Sequence, residues 1–93
     1  MLGANERLFL DFLILNYEQG FVNGHQILAF FGKHKSTPES QRQFRAKLIE
    51  NFTKTLGLIF VDEEILDIQL DERDQRMFTY RLQPEIYKKL KSL

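Results

Sequence analysis

The apolar residues change period part-way along this chain, from that of a helix to that of a strand, and this switch fixes most of what it can fold into. Phe44, Leu48, Phe52 and Leu56 stand four apart, joined by Ile49. Further on, Leu66, Ile68 and Leu70 alternate with Asp67, Gln69 and Asp71, and Phe78, Tyr80 and Leu82 alternate with Thr79 and Arg81. A repeat near 3.6 marks an amphipathic helix and a repeat of 2 a half-buried strand. Helices therefore come first and a β-hairpin follows, which is the pattern of an α+β fold.

The hairpin register follows from the requirement that both apolar rows share one face. Leu70 is expected opposite Phe78, Ile68 opposite Tyr80 and Leu66 opposite Leu82. The same register sets Asp67 against Arg81 and Glu72 against Arg76, two opposite-charge pairs. Leu58-Ile59-Phe60-Val61 reads as a further short strand, placed just after Gly57 ends the preceding helix.

The helical part divides at its caps. Asn5, with Glu6 behind it, is the expected N-cap of a first helix carrying Leu8, Phe9, Leu10, Phe12, Leu13, Ile14, Leu15 and Tyr17. These side chains cover nearly the whole circumference and leave Arg7 and Asp11 for water, so the helix is central or covered by a second subunit. Gly20 is expected in a left-handed cap. Phe21-Val22 is extended. Asn23 then opens a second helix, with Gln26 completing a capping box and Ile27, Leu28 and Phe31 as its stripe. The third helix starts at Ser36-Thr37-Pro38-Glu39, either with Ser36 as cap and Glu39 three on, or with Thr37 as cap and Pro38 at the first helical position. Pro84 opens a last helix with Ile86, Leu90 and Leu93 on one stripe and Lys88, Lys89 and Lys91 near its end.

A chain of 93 residues fits one domain, 1–93, and domains this small bury a limited share of their surface. Phe30 beside Phe31 cannot point the same way as its neighbour. With the apolar first helix, this predicts a homodimer using the first helix, the C-terminal helix or both. No apolar run is long enough to span a bilayer and no signal peptide is visible, so a cytoplasmic protein is expected, consistent with the absence of Cys.

Chemistry-bearing motifs are sparse. His25 and His34 lack metal-ligand spacing and there is no Cys to join them, so no metal site is expected. Asp62-Glu63-Glu64 lacks the glycine of a calcium loop. No phosphate loop, nucleophile elbow or zinc-protease motif occurs. The expectation is a non-enzyme with no cofactor and no small-molecule substrate. Charge is more informative. The net charge is +0, yet it is segregated. Lys33, Lys35, Arg42, Arg45, Lys47 and Lys54 outnumber Glu39 and Glu50 in the middle, whereas the hairpin region from Asp62 to Arg76 is acidic.

This order of elements resembles the winged helix-turn-helix superfamily. LFLDFLILNYEQGFVNGHQILAFFGKH is similar to its first helix, loop and the opening helix of the turn motif, and STPESQRQFRAKLIENFTKTLGLI to its recognition helix. MFTYRLQPEIYKKLKSL is similar to the returning wing strand and C-terminal helix of small MarR- or PadR-type regulators, although Gln83-Pro84-Glu85-Ile86 lacks the glycine common in that turn. The resemblance implies a three-helix core, a β-hairpin wing and a C-terminal helix. It also implies a sequence-specific transcriptional regulator that reads double-stranded DNA with its third helix.

The helical wheel puts Gln43, Ala46, Lys47, Glu50 and Lys54 opposite the apolar stripe, with Ser40 leading and Arg42 on the flank. On this reading Gln43 is a candidate base reader, and Arg42 can read guanine or hold a phosphate. Lys35, Ser36, Thr37, Ser40 and Lys47 are candidate phosphate holders, joined by Arg73 and Arg76 from the wing. An acidic wing tip favours the alternative, a winged-helix protein–protein interaction module without DNA binding.

Overall fold

The computed structural model describes residues 2–74 and 76–92. Among the described residues the fold is α+β, with four α-helices and a three-stranded antiparallel sheet. Helix α1 spans Ala4–Asn16, followed by a 3₁₀ turn at Tyr17–Gln19 and strand β1 at Val22–Asn23. Helices α2, Gly24–Phe30, and α3, Pro38–Ile59, come next. Strands β2, Leu66–Leu70, and β3, Phe78–Leu82, form the hairpin, and α4 spans Pro84–Lys91.

The hairpin pairs Leu66 with Leu82, Asp67 with Arg81, Ile68 with Tyr80, Gln69 with Thr79 and Leu70 with Phe78, the register the alternation requires. The expected charge pairs do not close. Arg81 turns its guanidinium onto the Tyr17 carbonyl, at 2.6 and 3.0 Å, and over the Tyr17 ring at 4.0 Å. Arg76 pairs with Asp74 at 3.3 Å rather than with Glu72. Strand β1 adds to the free edge of β3, Val22 opposite Tyr80, so the sheet order is β1-β3-β2.

Three helix boundaries differ from the sequence reading. Helix α1 starts at Ala4, not after Asn5, because Gly3 in an extended conformation supplies the carbonyl that accepts from Arg7 N–H at 3.0 Å. Gly20 has a positive φ of 117°, but with ψ −156° it lies outside the left-handed helical region; its amide closes the 3₁₀ turn instead. Helix α3 runs through Gly57 to Ile59, and Leu58-Ile59-Phe60-Val61 is no strand. A mid-helix glycine costs only about 1 kcal/mol, and Phe60 N–H still reaches the Leu56 carbonyl at 2.9 Å. The chain reverses at Asp62 instead, at φ 65°, a conformation aspartate tolerates better than most residues.

The core gathers Phe9 and Leu13 of α1, Val22 of β1, Ile27 of α2, Leu48, Phe52 and Leu56 of α3, Leu66, Tyr80 and Leu82 of the sheet, and Ile86 of α4. Phe9 meets Phe52 edge-on with ring centroids 4.9 Å apart. Phe30 and Phe31 diverge as expected: Phe31 is half-buried, whereas Phe30 is left 43% exposed although it touches a ring of α1. Phe30 lies on Phe12 at 4.5 Å and Phe31 meets Phe44 at 5.2 Å. Helix α1 buries one face and exposes Leu8 and Leu15 besides Arg7 and Asp11, so its apolar circumference is only partly covered. Helix α4 turns Ile86 and Leu90 inward, while Leu93 lies outside the described residues.

Candidate nucleic-acid interface

The start of α3 is held in place from three directions. Thr37 Oγ1 accepts from Ser40 N–H at 3.2 Å and Pro38 occupies the first helical position, so Thr37 rather than Ser36 is the cap. The Gln41 side chain donates to the carbonyls of His34 and Lys33 at 3.0 and 3.3 Å, tying the α2–α3 linker to the helix it precedes. Lys33 Nζ stands 5.4 Å over the Phe44 ring. The lead-in is therefore fixed, with Lys35 and Ser36 exposed along it.

Beyond the cap, Ser40, Gln43, Ala46, Lys47 and Glu50 line one open depression along α3 together with Phe44 of the stripe, and Arg42 is exposed beside them. This is the face the helical wheel puts opposite the stripe. Next to it, Ala46, Ile49 and Glu50 face Ile68, Phe78 and Tyr80 across a groove of about 400 Å³. Ile68, Leu70 and Phe78 are about half exposed, because the core covers only the base of the hairpin's apolar face. Thr37 differs from its sequence assignment in role: its hydroxyl oxygen is committed to the cap.

The hairpin tip carries the two remaining candidates. Arg73 and Arg76 are both exposed, and Gln75 between them lies outside the described residues. Two of the acidic residues here hold the turn together. Asp71 Oδ1 accepts from Arg73 N–H at 2.8 Å, and Asp74 Oδ1 accepts from Arg76 N–H at 3.1 Å. Such side-chain-to-backbone bonds are how aspartate stabilises tight turns. The Asp74 carboxyl is held below its ordinary range, first by the Arg76 backbone N–H and then by the Arg76 side chain. The tip is thus acidic for a local structural reason at Asp71 and Asp74.

Arg45 was not among the sequence candidates, yet it faces the same concavity as Arg76, together with Gly24, Met77, Phe78 and Tyr80. Its neighbour Tyr80 has its phenol pushed up by burial, opposed by the Arg45 charge. The sequence signal for Arg45 is a basic residue inside the apolar arc of α3, between Phe52 and Ile49 around the helix. Its surroundings depend on how α2 packs on α3.

His25 and His34 are exposed, and among the described residues no three His, Cys, Asp or Glu stand together as a metal site would need. No helix among them is long and apolar enough to cross a membrane. The geometry is that of a polar helix face beside a hairpin, and no family model, curated protein or solved structure matches the chain.

Proposed function

We propose that the chain is a winged helix-turn-helix domain that binds duplex DNA through α3, as a homodimeric transcriptional regulator. The order α1-β1-α2-α3-β2-β3, with β1 on the outer edge of β3, supports the winged-helix reading. The observation that carries the DNA reading is the continuous exposed face of Ser40, Gln43 and Lys47 on a helix whose first turn is capped and tied down. Glutamine can read adenine with two hydrogen bonds, and lysine and serine hold phosphates.

Titration of labelled random and selected duplexes at two salt concentrations tests it. Gln43→Ala is expected to relax sequence preference by about 1–3 kcal/mol. Lys47→Ala and Arg42→Ala are expected to weaken binding to all sequences and flatten the salt dependence. A folded wild type that binds no duplex at low salt rejects the reading. One observation favours a second reading, a protein-interaction module. Ile68 and Phe78 leave an apolar groove open beside α3, and the neighbouring tip is acidic. That combination suits a basic, partly apolar protein partner better than phosphates.

A further inference from the structure

Strand β2 leaves one edge of the sheet open, because β3 lies between β1 and β2 and only β3 pairs with it. Hydrogen-bonded pairs alternate along an antiparallel ladder. Asp71 N–H donates to the Met77 carbonyl at 2.8 Å, and Gln83 N–H to the Ile65 carbonyl at 3.0 Å. The odd-numbered residues of β2 therefore turn their peptide groups toward β3. Ile68 and Leu70 turn theirs outward, and among the described residues no group bonds to them. The Gln83 side-chain amide reaches the Leu66 carbonyl at 3.4 Å and closes the edge at its base only.

Edges of this kind are usually blunted by lysine, proline or a bulge. Strand β2, Leu-Asp-Ile-Gln-Leu, has neither residue and pairs with β3 without a bulge. Its side chains show what the edge would accept. On one face Ile68 and Leu70 are half exposed, beside the apolar groove that Ile49 and Phe78 help to line. On the other stands Asp67. Arg81 opposite it is held by the Tyr17 carbonyl, so among the described residues the Asp67 carboxylate has only the Gln69 side-chain amide, at 3.3 and 3.4 Å. Residues 62–72 hold six carboxylates and no Lys or Arg, and Lys89 reaches one of them, Glu63, at 2.6 Å. A second copy paired edge to edge would bring the same carboxylates against these, and like charges facing across a ladder destabilise it. Charge therefore favours a basic occupant over a second copy.

We propose that the outer edge of β2 takes an extended segment of a basic partner protein as an added strand, with apolar side chains alternating with Lys or Arg. The outward N–H and C=O groups of Ile68 and Leu70 supply the main-chain bonds, and the pleat sorts the side chains. Apolar ones continue the row of Ile68 and Leu70 on the groove side, and basic ones fall on the side of Asp67. The inference rests on the protein-partner reading and does not require DNA binding.

The test follows amide hydrogen exchange of Ile68 and Leu70 by NMR in the full chain as a short synthetic peptide alternating valine and lysine is added. Saturable protection of both amides is expected. The same peptide with glutamate in place of lysine, or with every amide N-methylated, is expected to give none. Ile68→Pro removes an outward N–H that the ladder with β3 does not use, a place where an edge strand tolerates proline. It is expected to keep the urea midpoint near the wild type and to lose protection at Leu70. Asp67→Asn is expected to weaken peptide binding several-fold. Equal protection by the lysine and glutamate peptides, or by the N-methylated one, overturns the proposal even if Ile68→Pro fails to fold. Peptide binding that shifts Ile49 and Phe78 but leaves both edge amides exchanging freely overturns strand addition and leaves the protein-partner reading standing. No binding at all rejects both. Protection that grows with protein concentration alone puts a second copy on the edge, and protection by a short random duplex puts nucleic acid there; either overturns the basic protein segment.

Discussion

Phe52 is fully buried and receives the edge of Phe9, so it links α1 to α3 at the centre of the core. Truncating a ring in such a place removes both its transfer free energy and its packing, because the surroundings relax only in part. Phe52→Ala is expected to lower stability by about 3–5 kcal/mol, read from the urea midpoint, and to abolish any duplex binding indirectly. Gln43→Ala and Lys47→Ala, on the opposite and exposed face, are expected to leave that midpoint near the wild type. Arg81 shows a different single-residue role. Its guanidinium lies over the Tyr17 ring, and that ring stacks on Tyr87 at 3.7 Å and 8°. Tyr17, in the turn after α1, thereby joins β3 to α4.

Helix α2 has seven residues, too few to stand alone in water. Its first turn is held by a reciprocal pair: Asn23 Oδ1 accepts from Gln26 N–H at 2.9 Å, and Asn23 N–H donates to Gln26 Oε1 at 2.8 Å. Asn23→Ala is expected to cost about 1 kcal/mol, measured by chemical unfolding. Since both bonds join the same two residues, adding Gln26→Ala should cost less than its effect alone; full additivity would show that the box does not act as a unit. Helix α3 shows the opposite case, an element whose end the local signals misplace. Gly57 looks like a stop, but a glycine inside a 22-residue helix is a small penalty beside the burial of Leu56 and the continuing hydrogen-bond ladder.

For the whole molecule, the exposed apolar surface has a different distribution from the one the sequence suggests. Helix α4 covers its stripe on its own domain through Ile86. Among the described residues, the most exposed large apolar ones are instead Leu15 of α1 and Leu58, Ile59 and Val61 around the end of α3, at 76, 76, 62 and 66%. The proposed homodimer would use this surface more than α4. Sedimentation equilibrium is expected to give a dimer at tens of micromolar, an order-of-magnitude range for weak association, and Ile59→Asp to shift it toward monomer. A stable monomer across that range would remove the dimer from the proposal.

The sequence by itself determined what depends on neighbours along the chain. The alternation in 66–70 and 78–82 set the hairpin register, because a one-residue slip would turn every apolar side chain to the wrong face. Asn23-Gln26 and Thr37-Pro38 set two helix starts, since a cap needs only groups within one turn. The exposed face of α3 was legible for the same reason: helical period alone separates Gln43 and Lys47 from Leu48 and Phe52. Tertiary structure decided the rest. Asp67 and Arg81 face each other in register, yet the Tyr17 carbonyl takes the guanidinium, because an arginine near several acceptors goes to the one its rotamer reaches best. Arg45 lies against Gly24 only because α2 packs on α3 there, and no periodicity along the chain encodes where two elements cross.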